Sequence, residues 1–210
     1  MAEPAAWPPL VTGRPLPRLM LVTDADQPDP ITPLLLALRS VDPADVLVQV
    51  RLKTWTSGAR RAAAARLTGT GAPLVVNSDI ALAQSLGAGV HLPSQSASVA
   101  ETRAALRDGA WVGRSCHDEA SLAQAEAEGA SYVTLGPVGA VPHKGCGRGV
   151  AWLVDTARRT PLPVFALGGV ALADVPVLLA GGVHGVALMR AVPASASPAD
   201  TLRDVIALTR

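Results

Sequence analysis

Three polar residues alternate at the end of an apolar run near residue 50. Gln49, Arg51 and Lys53 are separated by single apolar residues, so they share one face if the extended conformation continues. An amide, a guanidinium and an ammonium that converge in this way would bind an anionic, pyrophosphate-like group. The alternative is a set of solvated charges at a frayed strand end. The segment is therefore a candidate anion site.

A second group of reactive side chains lies in residues 136–149, a long stretch without an apolar pattern. His143, Lys144, Cys146 and Arg148 fall close together there, as they would in a loop that covers an active site. His143 is a candidate for moving protons, because the imidazole pKa lies near neutrality. Cys146 is a weaker candidate, since nothing in the sequence indicates a lowered thiol pKa.

Two shorter segments combine helix-cap residues with possible ligands. Ser115 and His117 precede Asp118, whose residue type is that of a helix N-cap. This leaves Ser115 as a candidate for substrate binding and His117 as a second candidate for proton transfer. Asn77 and Asp79 lie in a similar place after another apolar run, where a helix cap and a binding role are equally compatible with the sequence.

Two later segments have the residue types of a phosphate site. Gly168 and Gly169 would let backbone N–H groups approach an anion closely. Met189 and Arg190 follow the last apolar run, and Arg190 would add positive charge. A solvated surface arginine is the alternative interpretation of Arg190.

The elements that must position these residues are short apolar runs of strand length. Their continuous apolarity is typical of strands buried on both faces. The eight runs are Leu19–Thr23, Val46–Val50, Leu74–Val76, Gly89–Leu92, Trp111–Ser115, Tyr132–Leu135, Val164–Leu167 and Gly185–Leu188. Helical patterns separate several of them, at 57–67, 98–106, 119–128, 151–159 and 172–180.

This alternation predicts an α/β fold, a single (β/α)8 barrel over residues 19–210. An open doubly wound sheet is the alternative, but no G-x-G-x-x-G follows the first run to favour it. In a barrel the loops after the strands carry function, so the candidates above meet on one face. His91, in the fourth run, is either a hydrogen-bonded barrel residue or a ligand contact.

Bulk properties exclude several classes of partner. Residues 1–18 are Pro-rich and lack periodicity, which predicts an arm outside the barrel. A net charge of +1 gives no reason to expect nucleic acid or an anionic membrane. The start of the chain, with Glu3 and Pro4, is unlike a signal peptide, and two cysteines are too few for a disulfide scaffold. We therefore expect a soluble, cytoplasmic protein.

The motifs resemble, in order, those of the thiamine-phosphate synthase/TenI family. The likeness covers about residues 19–209 and rests on Gln49-x-Arg51-x-Lys53, Asn77-Ser78-Asp79, Gly113-x-Ser115-x-His117, Tyr132–Val138, Lys144 and Gly168-Gly169. The resemblance implies a (β/α)8 barrel that binds a small phosphorylated thiamin precursor, with assembly into a homo-oligomer.

Synthases of this family hold the pyrophosphate of hydroxymethylpyrimidine diphosphate with a basic set. The matching residues here are Gln49, Arg51, Lys53 and Lys144. Synthases also bind Mg2+ through an aspartate after the third strand and another after the fourth. This chain has the neutral Ser78 at the first of these positions, with Asp79 beside it, and the neutral Gln95 at the second. Neutral side chains replace such carboxylates poorly.

The chain is also similar to the TenI branch of this family, at residues 91–94, 113–117 and 144–149. The activity of that branch resembles tautomerisation of a thiazole phosphate carboxylate. That branch can carry a catalytic histidine directly after the glycine that ends the sixth strand, and Pro137 stands there in this chain. His143 or His117, with Lys144 nearby, would then move the protons.

Three functions follow from the resemblance. The sequence favours a TenI-like thiazole tautomerase, for which it implies no particular cofactor. The alternatives are a thiamine-phosphate synthase, for which Mg2+ and Asp79 would be required, and a non-catalytic protein that binds thiazole phosphate.

Overall fold

The pairing of the first and last strands closes the sheet. The structure, a computed structural model, describes residues 15–141 and 145–210. Within these ranges eight parallel strands form a closed barrel in chain order. Residues 19–21 of the first strand pair with residues 186–188 of the last, which excludes an open doubly wound sheet. The predicted (β/α)8 barrel is confirmed.

Strands and helices alternate throughout the described residues. The strands are β1 Leu19–Val22, β2 Val46–Val50, β3 Leu74–Asn77, β4 Gly89–Leu92, β5 Val112–Cys116, β6 Tyr132–Leu135, β7 Val164–Leu167 and β8 Gly185–Leu188. The α-helices are α1 Thr32–Leu38, α2 Ser57–Thr68, α3 Ile80–Leu86, α4 Val99–Ala105, α5 Glu119–Ala127, α6 Val150–Ala157, α7 Val175–Ala180 and α8 Pro198–Thr209. Short 3-10 helices span Pro43–Asp45 and Leu172–Asp174.

The predicted runs match the strands to within one residue at either end. The largest difference among the predicted helices lies after β7, where the single stretch 172–180 is divided into a 3-10 turn and α7. Pro176 lies in the first turn of α7. A proline has no N–H to donate and fits the first turn of a helix, so the α-helix begins next to it.

Two apolar layers result from the alternation of side chains along the strands. The outward side chains, such as Val46, Val48 and Val50 of β2, belong to the large cluster between the strands and the helices. The inward side chains form a smaller cluster inside the barrel, with Tyr132 and Phe165 at its centre. Successive strand residues point to opposite faces, so each strand contributes to both layers.

Side-chain caps begin several of the helices that cover the barrel. The side chains of Thr56, Asp79, Ser98 and Asp118 accept hydrogen bonds from backbone N–H groups in the first turns of α2, α3, α4 and α5. Each cap satisfies a donor that the helix itself leaves unpaired. The cap predicted at Asp118 is confirmed.

Some sequence predictions lie outside the described residues. These include His143 and Lys144 of the loop after β6, and nearly all of the predicted arm over residues 1–18. Among the helices of the described part of the chain, none has the length and apolarity to cross a membrane.

Gly113 tests the packing inside the barrel. A Cβ at this position would lie 2.1 Å from Cζ of Tyr132, which pairs with it across β5 and β6. We expect Gly113→Ala to lower the free energy of unfolding by about 2–3 kcal/mol, because the aromatic ring cannot give way inside a filled barrel. Urea denaturation measures the change.

The matched control is Gly58→Ala in α2, where an added Cβ meets nothing within 4 Å. This change should leave stability unchanged or raise it by up to about 1 kcal/mol, because alanine is the better helix former. Equal midpoints for the two variants would contradict the packing described here.

Candidate functional site

The last inward side chains of β2 to β6 are polar. We call Gln49, Asn77, His91, Ser115 and Thr134 the polar layer. It lies directly above the apolar interior, at the carboxyl ends of the strands. Each member follows an inward-facing residue of its strand by two positions, as Gln49 follows Leu47, so its side chain also points inward. The barrel therefore presents hydrogen-bonding groups at the mouth where (β/α)8 proteins bind ligands.

His91 is the buried centre of this polar layer. Its Nδ1 lies 3.1 Å from the Tyr132 hydroxyl and its Nε2 lies 2.9 Å from Oγ of Ser115. Thr134 Oγ1 donates to the same Ser115 oxygen at 3.4 Å. Burial, with a contribution from the charges of Arg51 and Arg114, lowers the pKa of His91 to about 3. The imidazole is thus neutral and hydrogen-bonded, as one of the two sequence interpretations had it.

An amide pair continues the layer toward β3. Gln49 Nε2 donates to Oδ1 of Asn77 at 3.2 Å, and Asn77 Nδ2 donates to Oγ of Ser78 at 3.0 Å. The next residue beyond β2, Arg51, is anchored by its backbone N–H, which donates to Thr23 Oγ1 at 2.7 Å. Gln49 and Asn77 are therefore paired at the mouth, and Arg51 directly follows the strand that carries Gln49.

Lys53 does not continue the strand alternation that the sequence predicted. β2 ends at Val50, and Lys53 lies in a turn before α2. It lines a cleft of about 520 Å3 between the loops after β2 and β3, which we call the β2–β3 cleft. The polar residues lining that cleft are Lys53, Arg60, Asn77, Ser78 and Asp79. Asn77 joins the cleft to the polar layer.

Both oxygens of Asp79 already have partners. Oδ1 accepts the Leu82 N–H at 3.0 Å as the cap of α3, and Oδ2 lies 3.2 Å from NH2 of Arg60. Ser78, immediately before it, has a positive φ of 63°, which is uncommon for a residue with a side chain. Asp79 is thus confirmed as a helix cap, while a binding role for Asn77 stays a prediction.

His117 is held by the loop after β6. Its Nδ1 lies 2.8 Å from the carbonyl oxygen of Gly136, and its own carbonyl accepts a 2.7 Å hydrogen bond from Arg148. A carbonyl can only accept, so Nδ1 carries the proton and Nε2 is left as the nitrogen that can take one up. The guanidinium of Arg148 also lies over the Trp152 ring, 4.0 Å from its centroid.

The two glycines after β7 pack against the loop after β6. Gly168 and Gly169 have φ of 84° and 65°, and the carbonyl of Gly168 accepts from the N–H groups of Val138 and Gly139. A Cβ on Gly139 would lie 2.2 Å from the Gly169 oxygen. The sequence predicted that these glycines let an anion approach their backbone closely. In the structure the backbone of the loop after β6 makes that close approach, and phosphate binding by the glycines stays a prediction.

Arg190 after β8 forms an ion pair with Asp24 after β1. Its Nε lies 2.8 Å from Oδ2, with the Asp24 side chain 3% exposed and that of Arg190 55% exposed. Burial alone would raise the pKa of Asp24, but hydrogen bonds from Arg190 and from the Asp26 N–H hold it below the usual value. Part of the Arg190 charge is therefore already compensated. Met189 packs against the inner cluster.

A sequence model of the family described as thiamine monophosphate synthase matches residues 19–192. That match covers most of the chain and every strand of the barrel. The chain belongs to the thiamine monophosphate synthase family. The predicted family is thus confirmed, while the match does not separate its synthases from its TenI branch.

Individual relatives are named as thiamine-phosphate synthases. A putative thiamine-phosphate synthase of Geobacter sulfurreducens is 40% identical over 142 residues, covering 66% of this chain and 67% of that protein. A thiamine-phosphate synthase of Synechococcus sp. strain WH7803 is 33% identical over 199 residues, covering 91% of this chain but 56% of that protein. The chain thus spans little more than half the length of the second relative.

A solved structure supports the fold. The thiamine phosphate pyrophosphorylase from Pyrococcus furiosus superposes with a TM-score of 0.77, covering 91% of this chain and 96% of that one, at 20% identity. At this identity the likeness concerns the barrel architecture.

The described residues offer poor ligands for the Mg2+ that synthases of this family use. Ser78 offers a neutral oxygen, and the carboxylate of Asp79 is engaged by a helix N–H and by Arg60. Within residues 15–141 and 145–210 no cluster of three or more His, Cys, Asp or Glu side chains could hold a metal ion. A hard dication prefers several free carboxylate oxygens.

Several residues of the candidate site were absent from the sequence prediction. Asp24 and Arg60 each hold a candidate residue through an ion pair. Tyr132, which was predicted only as part of a strand and a motif, is hydrogen-bonded to His91. The position of Asp24 directly after the first apolar run was a usable signal.

The two cysteines are both free thiols, but they differ in exposure. Cys116 is buried, which raises its pKa to about 11, whereas Cys146 is exposed.

The buried His91 makes stability depend on pH. In the unfolded chain its pKa is about 6.5, and in the folded protein it is about 3. Between these values only the unfolded state binds the proton, so this residue costs stability as the pH falls. From pH 7 to pH 5, wild type should lose about 2 kcal/mol more than His91→Gln in urea unfolding. Parallel losses in the two proteins would contradict a buried, neutral His91.

Proposed function

We propose that this chain is a thiamine-phosphate synthase, a transferase that joins hydroxymethylpyrimidine from its diphosphate to thiazole phosphate. The observation that carries the proposal is the basic and amide set around the barrel mouth, in which Arg51 follows the Gln49–Asn77 pair and Lys53 lines the adjoining cleft. The family match and the names of the relatives support this transferase more than the tautomerase that the sequence favoured.

In the proposed reaction, negative charge would develop beside these cations. The bond between the pyrimidine methylene carbon and the diphosphate oxygen breaks, and its electron pair leaves with pyrophosphate. The thiazole nitrogen forms the new bond to that carbon. Arg51 and Lys53 would stabilise the departing pyrophosphate, because fixed cations favour the state in which negative charge develops.

The polar layer would orient the pyrimidine and the diphosphate. Gln49 and Asn77 offer amide donors and acceptors, and Ser115 offers a hydroxyl whose position is fixed by the neutral His91. The loops after β7 and β8, with Gly168, Gly169, Met189 and Arg190, are where we place the thiazole phosphate. Lys144 would join the basic set from the loop after β6.

A second candidate, isomerisation of a thiazole phosphate carboxylate, is favoured by one observation. The hydrogen bond from His117 Nδ1 to the Gly136 oxygen leaves Nε2 as a proton acceptor beside the loop after β6. Tautomerisation needs a group that takes up and returns a proton near neutral pH. His143 would be the other candidate base, and a protein that binds thiazole phosphate without turnover is the third possibility.

Product analysis separates these functions. Wild-type protein incubated with hydroxymethylpyrimidine diphosphate and thiazole phosphate should form thiamin phosphate and release pyrophosphate. Arg51→Gln should lower kcat/KM for this reaction about 100-fold, because a cation beside the departing group is lost. His117→Asn should change kcat/KM for the same reaction by no more than about threefold, since an asparagine amide can still donate to the Gly136 carbonyl.

The matched control is Arg203→Gln on the outer surface of α8, where Arg203 forms an exposed ion pair with Asp200 of the same helix. It should keep wild-type activity. Absence of thiamin phosphate, together with accelerated tautomerisation that His117→Asn abolishes, would contradict the synthase and establish the isomerase. Absence of both activities, with thiazole phosphate raising the melting temperature, would select the binding protein.

A further inference from the structure

Arg60 reaches from α2 across the β2–β3 cleft to the loop after β3. Its NH2 lies 3.2 Å from Oδ2 of Asp79 and 3.3 Å from Oγ of Ser57, and its NH1 donates to the Trp55 carbonyl at 3.2 Å. The two partners of the ion pair are 25% and 27% exposed. Solvent is thus partly excluded, and a charge at this point acts on the cleft with less screening than on an open surface.

The Arg60 side chain is held in place at a cost. Its Nε is buried without a hydrogen-bond partner among the described residues, and an unsatisfied buried donor is unfavourable. The neighbouring Arg61 on the same helix turns outward, where its NH1 donates to Oγ of Ser85 at 3.0 Å. Arg60, unlike the arginine next to it, therefore forms an ion pair with Asp79.

Asp79 would otherwise oppose an anion in this cleft. Its carboxylate lines the same cavity as Lys53 and Asn77, so an uncompensated charge would repel a diphosphate bound by the basic set. A divalent cation can bridge a carboxylate and a diphosphate. Here one oxygen of Asp79 caps α3, the other meets Arg60, and Ser78 has no charge.

We propose that Arg60 takes the place of a divalent cation in the β2–β3 cleft, so that diphosphate binds to Arg51 and Lys53 without metal. The inference rests on the proposed function, since it concerns the site for the departing pyrophosphate. Arg60 acts through Asp79 as a positioning residue, because its guanidinium cancels the charge that would otherwise require a metal.

Calorimetric titration with inorganic pyrophosphate tests the proposal, in one buffer with EDTA and in another with Mg2+. Wild-type protein should bind with the same Kd, within about threefold, in both buffers. Arg60→Gln should raise the Kd in EDTA about tenfold, as expected for one uncompensated charge several Å from the anion. Added Mg2+ should restore part of that loss, because Asp79 is then free to bind the cation.

Two further variants separate charge from folding. Arg60→Gln combined with Asp79→Asn should bind in EDTA like wild type, since no carboxylate remains and asparagine still caps α3. Arg61→Gln is the matched control and should change nothing. Melting temperatures of all the variants show whether each is folded.

Wild-type binding that needs Mg2+ would overturn the inference while leaving the synthase proposal standing. A double variant as weak as Arg60→Gln would also overturn it, because the effect would then not act through Asp79. Failure of wild type to bind pyrophosphate in either buffer would instead contradict the proposed function itself.

Discussion

Closure of the barrel forces every second strand residue into its interior. Apolar side chains such as Leu47, Val75 and Phe165 fill most of that interior. Polar side chains can lie at its upper end only if their hydrogen bonds are satisfied within the protein. Gln49 pairs with Asn77, and His91 pairs with Tyr132 and Ser115. The requirement to satisfy buried groups thus organises the mouth before any ligand arrives.

The loops above this layer are joined to one another in the same way. The loop after β6 packs against Gly168 and Gly169, and its Gly136 carbonyl holds His117. Asp24 and Arg190 connect the ends of β1 and β8, the two strands whose pairing closes the barrel. A mouth fixed by such contacts is suited to place a diphosphate and an acceptor in one geometry, which is the main requirement for joining two substrates.

The barrel could be predicted from sequence because its strands are continuous apolar runs, and alternation correctly placed Gln49 inward. The contacts of the site could not be predicted in the same way. Arg60 and Asp79 are 19 residues apart, and Asp24 and Arg190 are 166 apart. Their meeting depends on how the loops turn after each strand ends. Lys53 illustrates this, because β2 stops at Val50 and the following turn carries the lysine into the cleft.

The location of a bound diphosphate tests the central claim most directly. A crystal structure of the protein grown with inorganic pyrophosphate should show the anion between Arg51 and Lys53, beside the Gln49–Asn77 pair at the edge of the β2–β3 cleft. Pyrophosphate bound only at the loops after β7 and β8, next to Arg190, would contradict the assignment of the departing group to this side of the barrel mouth.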